Sequence, residues 1–213
     1  MPEIAVVDYG MGNLRSVAKA LEHVAEGHNV IVTSDADAIE NADRGVFPGQ
    51  GAARDCMQEL SERNLNAVVL KAAREKPFLG ICMGMQVLLS HSEENNGVNC
   101  LDLYPGEVRF FGTDLKDDKG EKLKIPHMGW NGVHHKKSHP LWQDIVEGSR
   151  FYFVHSYYID PEESAIVEAT TEYGFGFASA IGRDNVFAVQ FHPEKSAQDG
   201  LQLLKNFSLW NGQ

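Results

Sequence analysis

Cys82 is the residue whose type and surroundings most clearly point to chemistry. It sits in Gly80-Ile81-Cys82-Met83-Gly84, where an apolar run from Phe78 to Cys82 gives way to a helix-like segment from Met83 to His91. This is a G-x-C-x-G form of the nucleophile elbow, in which glycines permit a sharp strand-to-helix turn and the central side chain stands out at the top of a sheet. The helix N-terminus behind the sulfur favours negative charge there. A cysteine so placed is a nucleophile for acyl transfer. Cys56 and Cys100 have no such setting and read as structural.

Phe191-His192-Pro193-Glu194 follows the apolar run Val186 to Gln190. On an extended chain, residues two apart point to one side, so His192 and Glu194 face one site, with Pro193 keeping the segment extended. Imidazole moves the protons of acyl chemistry, and a neighbouring carboxylate fixes its tautomer and stabilises imidazolium. The order nucleophile, His, Glu differs from that of α/β-hydrolases, where the acid precedes the His. The developing oxyanion needs N–H donors. Pro48-Gly49-Gln50-Gly51 lies after a strand, and its glycines let N–H groups turn inward; with Met83 they would form an oxyanion hole at Gly49, Gly51 and Met83. An ordinary strand-end turn is the alternative for that segment. Gln86, four residues after Cys82, shares its helix face and could reach a substrate, with a solvated helix glutamine as the default alternative.

Other patterns carry less. Gly10-x-Gly12 suggests a dinucleotide loop, but Arg15 stands at the third glycine position. His134, His135 and His139 resemble a metal cluster, yet they lie among lysines in what reads as an exposed loop without an acidic ligand, so no metal is expected.

Positioning these residues requires a sheet. Ile4 to Val7, Asn29 to Thr33, Gly45 to Phe47 and Phe78 to Cys82 read as buried strands. Helical spacing over Leu14 to Val24, with Asn13 as N-cap, and over Ala52 to Ala73, broken near Asn64, places helices between them. That alternation predicts an α/β fold with a doubly wound, mostly parallel open sheet. Glu107 to Phe111, Phe151 to Ile159, Val167 to Thr170, Phe177 to Ile181 and Val186 to Phe191 then follow with few helices, so antiparallel additions are expected in the C-terminal half. Ala197 to Trp210 reads as a closing amphipathic helix, and Lys116 to Lys124 as a polar turn or hairpin tip.

The 213 residues fit a single domain, residues 1–213, and 43% hydrophobic content supports a real core. A formal charge of −11 disfavours nucleic acid and anionic membranes as partners. The first ten residues read as a strand, not a signal peptide. Three scattered cysteines argue against a disulfide framework and suit a reducing cytoplasm.

Taken together, Gly80-Ile81-Cys82-x-Gly84-x-Gln86, Pro48-Gly49-x-Gly51 and His192-Pro193-Glu194 resemble the class I (triad) glutamine amidotransferases. More narrowly, Asp8 to Leu14, Met128-Gly129-Trp130-Asn131, Phe153 to Tyr157 and His192 to Ser196 resemble the glutaminase subunits of imidazole glycerol phosphate synthases. The resemblance implies hydrolysis of glutamine to glutamate and ammonia by Cys82, His192 and Glu194 through a thioester, with no cofactor. It places Gln86, Glu94, Ser156 and Tyr157 around glutamine, and Asn13, Tyr152 and Lys195 at a subunit interface. It implies a separate (β/α)₈-barrel cyclase as heterodimer partner, since such a barrel needs about 250 residues of its own. There ammonia would yield imidazole glycerol phosphate and an aminoimidazole carboxamide ribonucleotide, for histidine biosynthesis. Glutaminase subunits serving anthranilate, carbamoyl phosphate or guanylate synthesis share the triad and are the nearest rivals. A related cysteine peptidase and a non-catalytic regulator of the same fold are more distant ones.

Overall fold

The computed structural model describes residues 1–213. The first half runs β1 (Glu3–Val7), α1 (Leu14–Val24), β2 (Asn29–Thr33), α2 (Ala36–Asn41), β3 (Arg44–Gly49), α3 (Ala53–Glu62), α4 (Asn66–Glu75), β4 (Phe78–Cys82), α5 (Met83–Gln86) and β5 (Leu89–Ser92). The second half runs β6 (Val98–Asn99), β7 (Tyr104–Phe110), β8 (His127–Gly132), β9 (His134–His135), β10 (Arg150–His155), β11 (Tyr157–Pro161), β12 (Val167–Glu172), β13 (Gly176–Arg183), β14 (Val186–Val189) and α6 (Ala197–Leu209).

Twelve strands form one sheet, whose main path is β2-β1-β3-β4-β14-β13-β11-β7-β5-β6. The first five of these are parallel throughout. β13, β11 and β7 continue the sheet antiparallel, with β12 and β9 attached beyond β13. β8 and β10 form a separate antiparallel ribbon. The expected α/β doubly wound sheet with antiparallel C-terminal additions is the architecture found.

The apolar runs are uninterrupted because both faces of the parallel strands are covered. Ile4 and Val6 of β1 pack with Val17 and Leu21 of α1 and with Leu203, Leu204 and Phe207 of α6. Ala5 and Val7 point the other way, into a cluster with Ile39 of α2, Leu60 of α3 and Val69 of α4. β1 lies between β2 and β3, so the chain winds outward in both directions from it. In open α/β sheets, ligands bind in the crevice at the carboxyl ends of such strands.

Three elements depart from the expectations. The helix predicted from Met83 to His91 is one turn, Met83–Gln86; Leu89–Ser92 then pairs with β7 and β6. The run Val87-Leu88-Leu89 is fully buried, and a short apolar run has no periodicity that separates helix from strand. Phe151 to Ile159 is not one strand: it breaks at Ser156, with β10 in the ribbon and β11 in the main sheet. Asn13 precedes α1 as predicted, but its side chain makes no capping bond; its backbone carbonyl accepts from Ser16 and Val17. The break near Asn64 is real, with Asn64 at φ 58° between α3 and α4.

Candidate active site

Cys82 ends β4 with φ 55° and ψ −109°, a conformation a β-carbon resists. The flanking glycines explain how the chain tolerates it. A Cβ on Gly84 would overlap the Phe47 carbonyl oxygen of β3, and one on Gly80 would come within 2.9 Å of the Gly84 oxygen and 3.0 Å of Ala188 Cβ. The helix can therefore lie directly on the strands, which drives the Cys82 side chain upward. α5 is a single turn, too short for a helix dipole to account for the sulfur's environment; what it offers there is the N–H of its first residue, Met83.

His192 is reached from β14, the neighbour of β4 in the sheet. Its Nδ1 lies 2.9 Å from Glu194 Oε1, and both side chains are almost wholly buried. The route differs from the extended segment expected: Pro193–Lys195 is a turn of 3₁₀ helix, with His192 as its extended N-cap. Glu194 reaches the ring by curling back under it. The other ring nitrogen, Nε2, is buried without a hydrogen-bond partner. Burial disfavours the charged ring, but the sulfur of Cys82 and the Glu194 carboxylate outweigh it, raising the His192 pKa to about 10.

A cavity of about 450 Å³ opens above Cys82 and His192. Gln50, Gly51, Met83, Gln86, Glu94, Ser156 and Tyr157 all line it. Gly49 lies one layer lower, opposite Cys82 in the β3–β4 register. Gly51 has φ +93°, which a side chain would strain. One oxygen of Glu94 accepts from the Ala53 N–H at 2.8 Å; burial raises the Glu94 pKa more than that bond lowers it. Gln86 donates to the Tyr157 carbonyl at 3.1 Å and to Gln190 Oε1 at 2.9 Å, so its amide nitrogen is committed to the protein.

The three expected interface residues fall around the same end of the molecule. Lys195 lines the cavity, and Asn13 lines a narrow void with Gly49, His192 and Glu194. The Tyr152 ring meets Trp130 edge-on at 6.2 Å.

Two residues of the site escaped the sequence reading. Gln190 is fully buried and donates to Cys82 Sγ at 3.7 Å. It lies just past the end of β14, where the chain bends at Gln190 and Phe191 before reaching His192, so alternation along the strand does not mark it. His155 lines the cavity and is buried among aromatic rings, a placement no local pattern signals. The His134–His139 cluster is not the solvated loop expected. His134 pairs with Glu147 at 2.9 Å, His135 stacks on Trp142 and His139 lies against Phe187 and Trp210.

The profile of the glutamine amidotransferase class-I family matches residues 5–210. The imidazole glycerol phosphate synthase subunit HisH of Pseudomonas putida is 58% identical over the whole of both chains. The protein of the same name from Dechloromonas aromatica is 60% identical over 97% of this chain and 96% of its own. Among solved structures, PurLQS from Thermotoga maritima aligns over 97% of each chain at TM-score 0.71 and 18% identity. The CTPS glutaminase domain of Trypanosoma brucei aligns over 99% of this chain and 95% of that one at TM-score 0.65 and 18% identity. These two likenesses establish the fold, and the family profile with the near relatives goes further: the chain belongs to the class I glutamine amidotransferases.

Proposed function

We propose that this chain is the glutaminase subunit of an imidazole glycerol phosphate synthase, with Cys82, His192 and Glu194 as its catalytic residues. The observation that carries the chemistry is the meeting of a strained elbow cysteine with a buried His–Glu pair beneath one cavity. The full-length likeness to proteins of that name supports the client.

Cys82 passes its proton to His192 Nε2, and Sγ attacks the side-chain amide carbon of glutamine. The oxyanion is received by N–H groups of the Gly49–Gly51 turn and of Met83. His192 gives its Nε2 proton to the departing nitrogen, ammonia leaves, and a γ-glutamyl thioester remains on the sulfur. Water, deprotonated by His192, releases glutamate and restores the thiol. Glu194 holds the ring through Nδ1 throughout. The cavity volume suits a free amino acid. The Glu94 oxygen not bonded to Ala53 is available to the substrate α-ammonium, with Ser156 and Tyr157 on the facing wall. This sequence of steps asks for no cofactor.

Ammonia passes to a (β/α)₈-barrel cyclase subunit, which forms a heterodimer with this chain at the end bearing Asn13, Tyr152 and Lys195. Ligand binding in the partner reorients the Gly49–Gly51 turn to complete the oxyanion hole. No helix is long and apolar enough to cross a membrane, and a cytoplasmic setting fits a biosynthetic role.

The test is glutamate release from glutamine by this chain alone, with the cyclase, and with the cyclase plus its ribonucleotide substrate. Strong stimulation in the third condition only is expected. Free activity without a partner, or none in any condition, overturns the client.

A further inference from the structure

An unbroken run of hydrogen bonds leads from the β8–β10 ribbon to the nucleophile. His155 Nδ1 lies 2.8 Å from the Tyr157 carbonyl, and His127 Nδ1 lies 2.8 Å from His155 Nε2. Asn131 Nδ2 lies 3.2 Å from His127 Nε2.

These partners fix every proton. A carbonyl only accepts, so His155 carries its proton on Nδ1. The Nε2 of a neutral His155 then accepts, which puts the His127 proton on Nδ1. His127 Nε2 accepts in turn from the Asn131 amide. That amide cannot flip, because its nitrogen also donates to the Glu172 carbonyl at 2.8 Å and its oxygen accepts from the Gly132 N–H at 2.8 Å. Both rings are buried. His127 is sandwiched between Phe153 and Tyr173, at 4.8 and 4.0 Å between ring centres, and His155 meets Phe111 and Phe177. Burial lowers the pKa of His127 to about 4 and of His155 to about 3, so both rings are neutral near pH 7.

At its inner end the run enters the site. The Tyr157 carbonyl also accepts from Gln86; Gln86 donates to Gln190, and Gln190 donates to Cys82 Sγ. At its outer end lies β8, where side chains alternate. His127 points inward, while Met128 and Trp130 face outward, 61% and 43% exposed.

We propose that His127 and His155 are positioning residues for the glutamine pocket: a tautomer-locked pair that ties the exposed ribbon of Met128 and Trp130 to the Tyr157 carbonyl and, through Gln86 and Gln190, to Cys82. Neither ring takes part in the bond-making steps. The proposal rests on glutamine being the substrate of this cavity.

Two measurements on the chain alone test it. The first uses the unsubstituted chain with ¹⁵N-labelled histidine. Two neutral Nδ1–H rings should be found, joined by a scalar coupling between ring nitrogens across the His127–His155 bond and unchanged from pH 8 to about 5.5. Absence of that coupling, or titration of both rings near about 6.5, overturns the proposal.

The second measures Cys82 alkylation by a chloroketone analogue of glutamine and by iodoacetamide. His127→Phe keeps a stacking ring but loses the donor, and should slow the analogue about tenfold, the equivalent of one hydrogen bond, while leaving iodoacetamide unchanged. His127→Asn, which keeps a donor near the Nδ1 position, should restore the analogue rate. Wild-type rates in the Phe variant overturn the proposal. Equal losses with both reagents also overturn it, because they mark a purely structural role. If the unsubstituted chain reacts no faster with the glutamine chloroketone than with a leucine chloroketone, the glutaminase reading fails first, and the proposal with it.

Discussion

Cys82 holds a backbone conformation that costs a residue with a β-carbon about 1–3 kcal/mol, and the packing of β4 against β3 and β14 keeps it there. Alanine keeps that β-carbon, so Cys82→Ala should retain the fold while abolishing glutamate release. It should also change His192. The ring's pKa of about 10 depends on the sulfur beside it, and with Glu194 as sole support against burial it should fall, as ¹⁵N resonance of the ring against pH would report. The sign for stability follows. A pKa raised on folding contributes stability that is fully present below the ordinary histidine value and is lost as pH rises through the folded one. The intact protein should therefore lose part of its denaturant resistance as pH approaches about 10, and the alanine variant should lose less. Glu194→Gln keeps the shape but not the charge, and should lower kcat for glutamine by about 10²–10⁴-fold, with a lower thermal midpoint at neutral pH because the buried His192 ring loses a partner for its charge.

At the scale of elements, the site depends on how closely α5 lies on β3. Gly84 has no room for even one methyl group against the Phe47 carbonyl, and backbone on both sides must shift to accept it. Gly84→Ala should cost about 3 kcal/mol in urea unfolding. Gly27 is the contrast: φ is +79°, but nothing lies within 4 Å of where its methyl group would stand, so Gly27→Ala should cost only about 1 kcal/mol from backbone conformation. Glycines that look alike in the sequence thus differ by what stands behind them. The turn at Gly80–Gly84 is legible because its spacing is itself the geometric requirement. The strand Leu89–Ser92 is not, because its identity comes from pairing with residues that follow it in the chain.

For the whole molecule, histidines held neutral by desolvation, His127 and His155 buried and His139 half-buried, set the response to acid. Burial lowers the pKa of His127 and His139 to about 4 and of His155 to about 3. The folded state keeps these rings neutral while the unfolded chain takes up protons below about 6.5. Their contribution is thus present above that value and is lost as pH falls toward the folded ones. The thermal midpoint should decline from pH 7 to 5, before most carboxylates titrate, and its slope should shrink in His155→Asn. The acidic surface, with a formal charge of −11, leaves Met128 and Trp130 standing out at the end that carries the active site.

The order of residues along the chain is enough to propose a nucleophile, an acid–base pair and a glycine turn for the oxyanion, and to predict the alternating half of the fold. Each is a local requirement: a reversal that needs glycine, a doubly buried strand that reads apolar throughout, and reactive residue types at short spacing. It took the folded chain to show that Glu194 meets His192 through a 3₁₀ turn, that residues 151–159 divide between two sheets, and that Gln190 and His155 belong to the site. Those outcomes depend on what segments distant in the chain bring into contact, and neither periodicity nor spacing within a segment encodes its partner.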